Sequence, residues 1–133
     1  MGFSTNGDTK AYNNPYMQIV KQKKTRRVDA SSTTSVEEYI MPESSISGTT
    51  AIIYGRYPEK GFAVNTLCHE LALVLSGNGF ISTTRKKTPI ELGDCILIQP
   101  NEKFYWDGHM AVFIVCTPKW KPQQHKIIDG KPS

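Results

Sequence analysis

The sequence predicts an all-β protein that closes into a single barrel, and three observations carry that expectation. From Val36 onward short apolar runs alternate with turn signals at roughly eight to twelve residue spacing, the rhythm of a sandwich or barrel. Two of those runs are anchored by glycine: Glu70 to Leu75 leads into Gly77-Asn78-Gly79, and Gly93-Asp94 opens Cys95 to Gln99, which ends at Pro100-Asn101. No segment spaces apolar residues at 3.6 over three turns; the nearest helical stretch is one turn near Lys121 to Ile127.

Taken in chain order, residues 1–35 are polar, with Asn13-Asn14-Pro15 and the run Ser31-Ser32-Thr33-Thr34-Ser35, and too few apolar groups to bury. They read as a basic, partly disordered N-terminal segment. Tyr16, Met17, Ile19 and Val20 are its exception, apolar enough for a short strand that pairs with a sheet edge or is exchanged with a second subunit. Residues 36–129 read as the barrel and 130–133 as a tail. Within the barrel, Val36 to Met41 and Thr50 to Tyr57 are strands around the Ser44 to Gly48 turn. Pro58 to Gly61 breaks the second, Phe62 to Leu75 resumes, and Gly77-Asn78-Gly79 predicts a hairpin with Phe80 to Thr84 as its return strand. After an exposed Arg85-Lys86-Lys87 connection come strands over Ile90 to Leu92, Cys95 to Gln99, Phe104 to Trp106 and Met110 to Cys116.

At 133 residues the chain is long enough to bury one core without disulfide or metal staples. The formal charge of +4 is local, since Lys21, Lys23, Lys24, Arg26 and Arg27 form one run. That run lacks interleaved aromatics, so a solvated segment is expected in preference to a nucleic-acid surface; an anionic partner for it remains a third, regulatory reading. Cys68, Cys95 and Cys116 each sit in an apolar run, as free buried thiols do, which fits a reducing compartment. With no apolar run near membrane-span length, no signal-peptide core at the start and Asn6 out of place for myristoylation, the expectation is a cytoplasmic protein with no membrane partner.

Strand alternation puts Cys68, Glu70, Ala72 and Val74 on one face and Leu67, His69, Leu71, Leu73 and Leu75 on the other. The Glu70 face is the lumen candidate. The leucine face is too apolar for open water and predicts cover by another sheet or a partner subunit, hence a homodimer.

Glu70 seven residues before Gly77, with Gly61 opening and Gly79 following, and then Gly93-Asp94 running to Pro100, together resemble the two motifs of the cupin superfamily over roughly Val36 to Asp129. The resemblance implies a cupin-type jelly-roll β-barrel, a double-stranded β-helix. It also implies a degenerate metal site. The two histidines the family sets before the glutamate fall on Ala63 and Asn65 or on Val64 and Thr66, and the later histidine falls on Tyr105. Pro100 comes one residue later than in the commonest version of the second motif.

Glu70 alone cannot hold a transition metal, which needs about three protein ligands. The expected role is therefore binding of a small polar molecule in the lumen without cofactor, by Glu70, Asn65, Tyr105, Cys68 and His109. The alternative is a metal-dependent oxygenase, isomerase or epimerase with Glu70, Cys68 and Asn65 as atypical ligands of a divalent transition metal. Tyr105 either offers its hydroxyl to a ligand or to Glu70, or fills the barrel; Phe104 and Trp106 are expected to face away from it as packing groups. His109 is expected in a turn near the pocket mouth, His125 in solvent, and Trp120 as an anchor on the outside of the barrel. A desolvated Glu70 would have a raised pKa and suit acid–base work, or else be a silent structural group.

Overall fold

The computed structural model describes residues 16–128, and these form an all-β barrel with no α-helix among them. Nine strands follow in order: β1 (Arg26–Ser31), β2 (Thr34–Tyr39), β3 (Ser47–Tyr57), β4 (Phe62–Asn65), β5 (His69–Ser82), β6 (Lys87–Glu91), β7 (Cys95–Ile98), β8 (Tyr105–Thr117) and β9 (His125–Ile128). The main sheet runs β1-β2-β3-β8-β5-β6, with β7 on the first half of β5 where β6 holds the second. The small sheet β4-β9 lies outside that path and joins the segment before β8 through a bridge between Ala63 and Phe104. All ladders are antiparallel.

The core follows from alternation along the long strands. Ala51 and Ile53 of β3, Ala72 and Val74 of β5, and Trp106, Met110 and Val112 of β8 point into one apolar cluster with Ile98 and Phe104. On β5 the expected inward set of Cys68, Glu70, Ala72 and Val74 is buried. Its outward set is left exposed: Leu71, Leu73 and Leu75 are 45%, 41% and 44% exposed, and Leu97 of β7, opposite Leu71, is 52% exposed. The outer face of β5 is thus an apolar surface, extended by Phe113 and Val115 of β8, which pair with Leu73 and Leu71.

Expectations for three parts of the chain are corrected here, the first being its N-terminal part. The sheet begins at Arg26, ten residues before the expected barrel start, because β1 and β2 form a hairpin whose inward residues are few and small, Val28 and Ala30 facing Thr34 and Val36. Alternating charged residues on the other face masked it. Tyr16 to Val20, expected as a strand, carries no strand and exposes Tyr16, Met17 and Ile19; residues 1–15 and 129–133 lie outside the described residues.

The second correction concerns Gly77-Asn78-Gly79, which is no hairpin. Strand β5 passes straight through it, with a bulge between Val74 and Ser76, and Phe80 continues the same strand. The glycines are required by close approach: a Cβ on Gly77 would run into the His109 carbonyl, and one on Gly79 into the Asp107 carbonyl beside Gly108 of β8. Gly93-Asp94 is the turn expected, with Gly93 at φ +92° and the Asp94 carboxylate accepting from the Glu91 N–H at 2.8 Å.

The third is Cys95, which is exposed on the outer face of β7, whereas Cys68 and Cys116 are buried as expected; all three are free. Among the described residues no helix is long and apolar enough to cross a membrane.

Candidate functional site

Between the β1-β2-β3-β8 wall and β9 the barrel encloses a cavity of about 410 Å³. Its walls are mainly apolar, including Ala51, Ile53, Phe104, Trp106, Ile114 and Ile127, and among the described residues neither lysine nor arginine lines it. Polar groups gather where Tyr57, Glu70 and His125 reach the lining.

Five segments bring this polar pole together. Tyr57 ends β3, Asn65 ends β4, and Glu70 is the second residue of β5, opposite Cys116 of β8 and Ile98 of β7. The short 3-10 turn Pro122–Gln124, with proline at its start, delivers Gln124 and then His125, which pairs with Asn65 in the β4-β9 ladder. Side chains complete the link. Asn65 Nδ2 donates to Glu70 Oε1 at 2.8 Å, Gln124 Nε2 donates to Asn65 Oδ1 at 3.1 Å, and His125 Nδ1 lies 2.8 Å from the same oxygen. The Tyr57 hydroxyl is 2.9 Å from His125 Nε2. Gln124 Oε1 accepts the backbone N–H groups of Leu67 at 3.2 Å and Cys68 at 3.1 Å, closing the loop that leads into β5.

Electrostatics follow from burial without a cation. Burial pushes the Glu70 carboxyl up to about 7, against the lowering effect of its hydrogen bond from Asn65. The Tyr57 hydroxyl is pushed up to about 12, first by burial and then by the Glu70 charge. Burial holds the His125 imidazole below its ordinary value, so the ring is neutral at pH 7. Burial, followed by the Glu70 charge, also raises the Cys68 and Cys116 thiols, which keeps both in the unreactive protonated form.

Of the residues singled out in the sequence, Asn65, Glu70 and Cys68 come together. Cys68 is turned aside, its thiol donating to the Pro118 carbonyl at 3.2 Å. Tyr105 does not line the cavity; its ring packs on Phe62 at 5.7 Å and under the Arg56 guanidinium at 3.8 Å. The inward positions belong to its neighbours Phe104 and Trp106, both buried in the lining, the reverse of the expected faces. His109 is in β8, not in a turn, and stacks on exposed Tyr54 at 4.2 Å on the outer face.

His125 and Trp120 are also corrected. His125 is half-buried at the polar pole instead of in solvent, and Trp120 lines the cavity with its ring 5.5 Å from the His125 ring. Tyr57 and Gln124 were missed altogether. The only sequence signal for them was the turn chemistry around Tyr57-Pro58 and Pro122, which marks strand ends but not what those ends face.

The residues do not fit a transition metal. Asn65 turns its amide nitrogen to Glu70 and its oxygen to Gln124 and His125, while the Cys68 thiol serves Pro118. Among the described residues no three His, Cys, Asp or Glu side chains gather to hold an ion.

The architecture defines the class of protein. A six-strand path closed by a second small sheet, with its cavity between them, is a jelly-roll barrel of the kind seen in solved cupin-type structures. Solved structures match it over most of their length. Streptomyces Pac13, described as a nucleoside dehydratase and also solved with uridine, superposes with a TM-score of 0.77 at 15% identity, covering 86% of this chain and 92% of that one. Ectoine synthase from P. lautus gives 0.66 at 14% identity over 88% and 94% of the two chains. An RmlC-like cupin from Shewanella frigidimarina gives 0.62 at 9% over 77% and 92%. At these identities the likeness is one of fold. No protein-family model and no curated protein sequence matches the chain.

Proposed function

We propose that this barrel binds a small molecule with an apolar body and a polar head in its lumen, without a resident metal ion. The observation that carries the reading is a buried carboxylate, Glu70, lining an apolar cavity with no lysine or arginine in its walls. Glu70, Tyr57 and His125 face the head, Asn65 and Gln124 hold them in place, and Trp106, Phe104 and Ile114 surround the body. A cavity of about 410 Å³ falls within the range of small-molecule sites, roughly 300–1,000 Å³. Binding of small molecules in related barrels, such as uridine in Pac13, supports the reading at the level of fold.

Ligand-observed NMR against a fragment library tests it. Ile114 is half-buried and lines the cavity, so Ile114→Phe fills space without adding charge. Fragments held in the lumen are expected to lose about tenfold or more in affinity in this variant, a change of about 1.4 kcal/mol. Fragment binding that survives the filled lumen unchanged would place the site elsewhere.

The outer face of β5 supports a homodimer. Leu71, Leu73, Leu75 and Leu97 are exposed together, and the facing positions Phe113 and Val115 carry no charge. Such a patch suits a two-fold contact with the same surface of a second copy. Light scattering is expected to give twice the chain mass for the native protein and the single mass for the Leu71→Glu/Leu73→Glu double variant; a native monomer contradicts the dimer. The free, buried Cys68 and Cys116 are consistent with a reducing, cytoplasmic setting.

A further inference from the structure

Hydrogen-bond bookkeeping at the polar pole fixes the direction of every proton along it. The starting point is backbone: the N–H groups of Leu67 and Cys68 can only donate, so Gln124 presents Oε1 to both and must turn Nε2 to Asn65. Asn65 therefore presents Oδ1 to Gln124 and its amide nitrogen to Glu70. Because Asn65 Oδ1 only accepts, His125 must carry its proton on Nδ1 to make the 2.8 Å contact. The ring is neutral, so Nε2 is bare and takes the Tyr57 hydroxyl proton across 2.9 Å.

The chain thus runs one way, from Tyr57 to His125 to Asn65 to Glu70. At its Tyr57 end the proton is spent on His125, leaving the phenolic oxygen with lone pairs only. At the other end Glu70 receives a single side-chain donor, on Oε1. Both residues line the cavity. Among the described residues the other ionisable or polar side chains in the lining are Glu38, whose carboxylate is paired with Arg26 at 2.7 Å, the Thr34 and Thr49 hydroxyls, the Cys116 thiol and the Trp106 and Trp120 indoles, none of them a cation.

We infer that the lumen takes a ligand whose polar head is a hydrogen-bond donor, a hydroxyl or an N–H, set between the Tyr57 and Glu70 oxygens, and that it turns away carboxylates and phosphates. This rests on the lumen-binding reading above and adds to it the chemical class of the ligand. His125 acts as a positioning residue: its tautomer, dictated by Gln124 through Asn65, makes Tyr57 an acceptor toward the cavity. An anionic head would meet the Glu70 carboxylate and the Tyr57 lone pairs with no lysine or arginine among the described lining residues to offset the charge, and burial in this lining would make that repulsion costly.

Three probes of one shape separate the outcomes: 4-ethylphenol, its methyl ether 4-ethylanisole, and the 4-ethylbenzoate anion, titrated calorimetrically into the full chain at pH 8. The phenol is expected to bind about tenfold or more tightly than the ether, which keeps the shape but lacks the donor, and the benzoate more weakly still. Tyr57→Phe is expected to shrink the phenol's advantage several-fold while leaving the ether unchanged. Ether or benzoate binding as tightly as phenol overturns the inference but leaves the lumen reading standing. Failure of all three to bind contradicts the lumen reading itself. A second readout needs no ligand: long-range nitrogen–proton NMR of His125 is expected to show a protonated Nδ1 and a bare Nε2. Finding the proton on Nε2 would make Tyr57 a donor toward the cavity and overturn the inference directly.

Discussion

Glu70→Gln is expected to stabilise the protein at pH 8 by up to roughly 3 kcal/mol, leave it unchanged near pH 4, and flatten the pH dependence between. The sign follows from where the proton sits. Burial lifts the Glu70 carboxyl from 4.5 to about 7 in the folded chain, so within that window the folded state keeps a proton the unfolded state has released. Stability from this group is therefore full below pH 4.5 and is lost as pH rises through about 7. Glutamine keeps an acceptor for Asn65 Nδ2 and never has to ionise in the cavity, which removes the loss. Urea unfolding at a series of pH values reads the effect. Parallel native and variant profiles would mean that Glu70 is solvated and that the lumen account fails.

Asn65→Leu is expected to act in the opposite direction, costing about 3–5 kcal/mol at pH 7. Asn65 is fully buried and joins three partners at once, giving a proton to Glu70 and accepting from Gln124 and His125. Leucine is close in size but makes none of these bonds, so it strands the Gln124 Nε2 and His125 Nδ1 donors in a dry site. The same change is expected to shrink the discrimination between the phenol and its ether several-fold, because His125 no longer has a reason to prefer one tautomer while Glu70 remains an acceptor. Equilibrium unfolding gives the first quantity and calorimetry the second. A loss under about 1 kcal/mol would show that the polar pole is wet and its bonds replaceable by water.

The strand that carries Glu70 was legible because its sequence alternates without interruption. Cys68, Glu70, Ala72 and Val74 share a parity, and the bulge of β5 comes only after Val74, so the four stay on one face. The barrel class was legible from the same rhythm repeated along the chain. The resemblance places Tyr105 in the lumen through a motif whose Pro100 comes one residue later than in its commonest version. In a strand, a slip of one residue exchanges the two faces, and Trp106 and Phe104 took the inward places.

The glycine cluster misled for a related reason. Gly77 and Gly79 signal a tight backbone, and either a hairpin or the close passage of β8 at Gly108 satisfies that signal. His125 and Tyr57 were invisible because their meeting depends on contacts 68 residues apart, made by the β4-β9 ladder and by the end of β3. Nothing local to Gln124-His125 distinguishes a side chain carried into a barrel from one left in water. Strand β1 and the first residues of β2 were hidden by their own composition, since β1 brings only Val28 and Ala30 to the apolar lining and Thr34 is polar, whereas the rest of β2 falls within the strand expected from Val36.

The most direct test of the account is the carboxyl titration of Glu70 itself, followed by carbon NMR in protein labelled at glutamate and assigned by loss of the signal in Glu70→Gln. A carboxyl buried in the lumen with Asn65 as its side-chain donor is expected to titrate near pH 7, more than two pH units above an exposed glutamate. A midpoint near 4.5, with no shift on addition of 4-ethylphenol, would mean that the side chain faces water and would contradict the account.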